Sequence, residues 1–167
     1  MSRSFRHAFS AAALCLLAAT TFGLSAPANA EPRDADPANN DKLLAIVAPG
    51  LTECVVSKLY DAAIARVGCS KSPPGGPTAV IYSLYANADD MNKAFDSLTR
   101  SSDPVPCLGS IDSAPTAWNG GMVWCGTFRG PSQGAPTVVW TRTADLVVAS
   151  AGGRDPVELY GWWLTAA

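Results

Sequence analysis

The chain has 167 residues, 48% of them hydrophobic and 16% charged, with 12 basic residues, 14 acidic residues and one histidine. The net charge of −2, with no basic stripe, argues against binding a phosphate backbone. The length suits one domain, and the apolar content suffices for a packed core.

The N-terminus has the three parts of an export signal, in order. Arg3, Arg6 and His7 form a basic start, and Ala11 to Leu24 form an apolar stretch. Pro27 with the small residues Ala28 and Ala30 supplies a cleavage site before Glu31. The apolar stretch is shorter than the ~20 residues that span a bilayer. A signal peptide is therefore expected over 1–30, and with it a secreted protein of the cell envelope or medium. Cys15 follows Leu14 inside the apolar stretch instead of a small residue at its close, so no lipid anchor is expected. No arginine pair marks a twin-arginine route. No later segment is long and apolar enough for a transmembrane helix. Losing Arg3 and Arg6 from the 12 basic residues leaves 10 against 14 acidic ones, a net charge of −4, which favours solubility.

Cys54, Cys69, Cys107 and Cys125 remain after cleavage. An even number in an exported chain points to two disulfides. A zinc knuckle needs closely spaced cysteine pairs, and none occur here.

Residues 31–41 are polar, contain Pro32 and Pro37, and read as a flexible leader to one globular domain over 42–167. Asn39 or Asn40 can cap a short helix on which Leu43, Leu44 and Val47 share a face, and Pro49-Gly50 ends it. Residues 53–69 are ambiguous until Ala63 to Cys69, which reads as a strand. After a breaker-rich turn from Ser72 to Thr78, Ala79 to Tyr85 is a strand of β formers. Its faces do not alternate cleanly, as expected when both are covered. Asn87 caps a helix to about Arg100, with Met91, Ala94, Phe95 and Leu98 on one stripe. Asp89 and Asp90 sit in its first turn and Arg100 at its end, as the helix dipole favours. A loop with three prolines and Cys107 covers 101–117. Gly121 to Phe128 is a strand, and Thr137 to Thr141 with Leu146 to Ser150 form a hairpin. Asp155-Pro156-Val157-Glu158 starts a C-terminal helix. The expected fold is α+β: an antiparallel sheet of about five strands, with two helices on one face.

The two halves echo each other. Cys69, Gly76-Pro77-Thr78 and AVIYSLY match Cys125, Ala135-Pro136-Thr137 and VVWTRT, each followed later by a helix. Each half also has an upstream cysteine, Cys54 or Cys107. A duplicated Cys–strand–Cys–strand–helix unit would pair Cys54 with Cys69 and Cys107 with Cys125; two other pairings remain open.

Taken together, several features resemble the small extracytoplasmic domain of some mycobacterial transmembrane serine/threonine kinases, found also as free secreted proteins. They are the Leu-rich helix ending in Pro-Gly, the Gly-Gly-Pro-Thr strand with tyrosines, Ala94-Phe95, Cys125-Gly126, the Pro-Thr-Val-x-Trp strand and the terminal Leu-Tyr-x-Trp-Trp helix. The likeness covers about 42–167. It implies an actinobacterial exported protein with a sensor-type or binding role and offers no catalytic residues to carry over. The chain departs from it in having no kinase domain or membrane anchor.

Catalytic chemistry finds few candidates. The one histidine, His7, leaves with the signal, which removes a Ser-His-Asp triad and a Cys-His pair. Asp89, Asp90 and Asp103 are the nearest approach to a carboxylate cluster, but they read as helix-end and loop charges. Gly75-Gly76 and Gly120-Gly121 lack the lysine of a phosphate loop. Trp140 and Trp163 are expected in the core, Trp124 on a disulfide, and Trp118 in a loop either as a lid over the core or as a ligand contact. Gly161, inside the last helix, is expected to allow close approach to a strand. No cofactor, metal or nucleic-acid partner is expected. The resulting expectation is a secreted, non-enzymatic binding or sensor-type domain for a cell-envelope component or another exported protein. Its alternatives are a small carboxylate-based hydrolase and a secreted antigen without a small-molecule site.

Overall fold

The structure is a computed structural model that describes residues 36–129 and 134–166. The expected signal peptide and the leader up to residue 35 lie outside the described residues. Helix α1 spans Pro37–Leu44. Its cap is Asp36, whose carboxylate accepts the Ala38 N–H at 2.9 Å, and not the expected Asn39 or Asn40. Asp before Pro is the stronger start, because the carboxylate takes a free N–H where proline lacks one. The helix thus begins inside the stretch expected as leader and anchors itself through fully buried Leu43.

Among the described residues eight strands form one antiparallel sheet: β1 (Thr52–Val56), β2 (Ala63–Lys71), β3 (Ala79–Tyr85), β4 (Ser102–Pro104), β5 (Thr116–Trp118), β6 (Gly121–Phe128), β7 (Pro136–Arg142) and β8 (Val147–Gly152). Their order is β1-β2-β3-β8-β7-β6-β4, and β5 pairs with the same edge of β6 as β4 does, nearer its start. The five expected strands are all present. The three missed ones are short: β1 lay in the ambiguous stretch, and β4 and β5 are three-residue ladders in the proline loop, too brief for a period to show.

Helix α2 (Ala88–Arg100) starts at Asn87, whose side chain accepts the Asp90 N–H at 2.9 Å. Helix α3 (Pro156–Ala166) starts after Asp155, whose Oδ1 accepts the N–H groups of Val157 and Glu158. Among the described residues the α-helices number three, and they cover both faces, which corrects the expected pair on one face. Leu43 of α1 and Leu159 and Trp163 of α3 pack with Val138 and Trp140 on one side. Met91, Ala94 and Phe95 of α2 pack with Trp124, Val139 and Val148 on the other. Central strands sandwiched this way carry apolar residues on both faces, so their pattern does not reveal on which side a given helix lies.

The same alternation corrects the placement of Trp124. Consecutive strand residues face opposite sides, so Trp124 lies under α2 while Cys125 lies under α3. Trp124 packs over Gly126 instead of a disulfide, and a side chain on Gly126 would collide with that ring and approach the Asp103 carbonyl to 2.8 Å. Trp140 and Trp163 are core residues as expected, at 1% and 4% exposure. Gly161 makes no close approach: a Cβ there would meet nothing within 4 Å.

Both disulfides follow the pairing suggested by the repeat, Cys54–Cys69 and Cys107–Cys125. They sit differently. Cys54 and Cys69 are register partners across β1 and β2. Cys107 instead ties the loop after β4 down onto β6, beside a Val105 N–H···O=C Cys125 bond of 3.1 Å. Among the described residues no helix is long and apolar enough to cross a membrane.

Candidate functional site

The tethered loop makes one wall of a cleft of about 390 Å³ on the α3 face. Val105, Leu108 and the Cys107–Cys125 bridge form that wall, and Val138 of β7 lies in the floor. The start of α3 forms the opposite wall with Val157 and Tyr160. The lining is mainly apolar, and Arg154, just before α3, stands at its edge. Both walls are held from below. The bridge fixes the loop, and Tyr160 stacks on buried Trp163 at 5.2 Å between centroids. A cleft of a few hundred Å³ with an apolar lining and few polar groups is the usual form of a small-molecule site.

A second, polar cleft of about 400 Å³ adjoins the first through Arg154 and is lined by Lys71, Ser72, Gly75, Asp155 and Glu158. Lys71 pairs with Glu53 at 3.6 Å, and Asp155 is engaged as the α3 cap. Arg154 makes no hydrogen bond or ion pair among the described residues.

A third cleft, of about 540 Å³, contains Trp118, Asn119, Arg142 and Asp145 beside the segment after α1. Its charged groups are engaged within the fold. Arg142 pairs with Asp145 at 2.9 Å and donates to the Ile46 carbonyl at 3.3 Å. Trp118 ends strand β5 instead of standing in an open loop. Its indole N–H donates to the Met122 carbonyl at 3.2 Å, and its ring meets Trp163 edge-on at 5.4 Å. Gly120 has no side chain because the Trp118 ring occupies that space. Trp118 is thus half-buried as a lid on the core, with its remaining surface on the third cleft.

The carboxylates singled out in the sequence are not gathered. Asp89 and Asp90 stay in the first turn of α2, where Asp90 pairs with Lys93 at 3.8 Å. Asp103, on β4, pairs with Arg129 at 2.7 Å. None of the three lines a cleft described above. Among the described residues no group of three or more His, Cys, Asp or Glu could hold a metal ion. Val105, Leu108, Arg154, Val157 and Tyr160 escaped the sequence reading because they come from a proline loop and a helix start distant in sequence. Only Cys107, inside that loop, hinted that it was tied to the sheet.

Compared with family models, curated proteins and solved structures, the chain matches none. The likeness to kinase extracytoplasmic domains therefore rests on the sequence motifs alone.

Proposed function

We propose that the chain is an exported, non-enzymatic binding domain of sensor type, whose ligand sits in the cleft between the Cys107–Cys125 bridge and α3. The observation that carries this reading is the construction of the cleft. Its mainly apolar lining lies between a wall stapled by a disulfide and a wall stacked on the core. Such walls are ordered before a ligand arrives, which lowers the entropy lost on binding. The N-terminal signal features and the oxidised cysteines support an extracytoplasmic setting, where an envelope component or another exported protein would be met. The motifs it shares with those extracytoplasmic domains support a sensor-type role.

The test is retention of envelope components by the immobilised chain and by a Val157→Asp variant. Material held by the chain and released by the variant is the expected result. Retention of nothing, or equal retention by both, would overturn the reading.

A further inference from the structure

We propose that the ligand of this cleft is an amphiphile: an acyl chain against Val105, Leu108, Val138 and Val157, with one anionic headgroup at Arg154. The inference rests on the binding reading above and adds the ligand's chemistry. Two independent features carry it.

The first is the shape of the apolar surface. Leu108 and Val157 stand on opposite walls at 54% and 55% exposure, with the buried Val138 between them in the floor. Aliphatic surface on facing walls suits a chain laid between them, because covering it removes apolar area from water. Among the described residues Tyr160 is the one aromatic side chain in the lining, so an aliphatic ligand fits better than a flat aromatic one.

The second is the state of Arg154. Arg129 and Arg142 are each paired with an aspartate and Arg66 lies over the Tyr60 ring; of the remaining described arginines, Arg154 lines this cleft and Arg100 does not. Arg154 has no partner among the described residues, although it lies next to Asp155 in sequence. The Asp155 carboxylate is turned to the N–H groups of Val157 and Glu158. The unpaired guanidinium stands where the apolar cleft meets the polar one. A headgroup there gains an ion pair while its chain stays in the apolar cleft. A cationic headgroup would be repelled, and a small anion alone would leave the apolar walls uncovered. Asp155 and Glu158 line the polar side, so a headgroup with one negative charge fits better than one with several. Carboxylate and phosphodiester headgroups share this chemistry.

The experiment titrates the purified chain with decanoate, decanol, decyltrimethylammonium and inorganic phosphate, each below its aggregation limit, and follows backbone amide signals. Didecanoylphosphatidylglycerol serves as the phosphodiester arm. Decanoate or the phosphodiester should shift the signals of Val105 to Leu108 and Arg154 to Tyr160, and phosphate alone should not. Arg154→Gln should weaken the anionic amphiphile about fivefold, the scale of an exposed ion pair, and leave decanol unchanged. Added salt should act in the same direction as the substitution. Equal affinity for decanoate and decanol, or no effect of Arg154→Gln, would overturn the headgroup assignment while leaving the cleft a binding site. Tighter binding of the cationic amphiphile would overturn it as well. Absence of binding by every amphiphile would overturn the ligand class, whereas the binding reading stands or falls on retention of envelope material.

Discussion

The ring of Tyr160 stacks on that of Trp163, with centroids 5.2 Å apart and planes 24° from parallel. One ring lines the cleft and the other is core, so the cleft wall depends on the helix face beneath it. Trp163→Ala should cost ~3–5 kcal/mol, a large share of the ~5–15 kcal/mol that holds a domain of this size. Trp118→Ala removes a half-buried ring with one edge-on aromatic contact and should cost less, ~1–3 kcal/mol. Urea titrations of the two variants give the comparison. Equal small losses would mean that α3 is peripheral to the core.

Gly161 lies inside α3 with open space where a side chain would stand. Gly161→Ala should therefore stabilise the chain by ~0.5–1 kcal/mol, through helix propensity and a less flexible unfolded state. A higher thermal midpoint is expected. A lower one would show that α3 approaches its neighbours more closely than the structure has it.

Much of the scaffold was legible from the sequence, because its signals are local. Asn87 and Asp155 announce α2 and α3 through caps, and the stripe from Met91 to Leu98 gives α2 its buried face. Strand β3 runs over the expected Ala79 to Tyr85. The sidedness of the helices was not legible, because Val138, Val139 and Trp140 are all apolar and serve opposite faces in turn. The expected role of Trp124 failed for the same reason: adjacency to Cys125 in a strand means opposite sides. The cleft was invisible because Leu108 and Val157 meet only through a disulfide and a helix start that no local period records.

Thiol titration of the unfolded, unreduced chain should find no reactive thiol among Cys54, Cys69, Cys107 and Cys125. Peptide mapping should recover Cys107 joined to Cys125. Replacing both with serine should cost ~3 kcal/mol in the loop-entropy account and release the wall that carries Val105 and Leu108. Matching Cys54→Ser and Cys69→Ser changes should cost a similar amount without loosening the cleft. A urea titration with amide exchange at 105–108 separates the two. Equal exchange in both variants would show that the bridge does not hold the wall.

Burial raises the pKa of the Tyr82 and Tyr85 hydroxyls above the ordinary 10.0. For Tyr82 the N–H of Ala48, at 3.2 Å, and the charge of Arg142 oppose the shift without reversing it. A group whose folded pKa is raised favours the fold while it stays protonated. Its contribution is complete below pH 10 and is lost as pH rises through the folded value. Denaturant midpoints should therefore fall on going above pH 10. Tyr82→Phe with Tyr85→Phe should be less stable near neutrality, through the lost Ala48 bond, yet show a shallower alkaline decline. An unchanged decline would assign it to other groups.

The most direct test of the account is an amide chemical-shift map of the chain with lipid extract of the envelope, alongside the same map for Val157→Asp. Shifts gathered at Val105 to Leu108, Cys125 to Thr127 and Arg154 to Tyr160 are expected, and so is their loss in the variant. Shifts gathered instead at Trp118 to Gly120 and Arg142, unchanged by Val157→Asp, would contradict it.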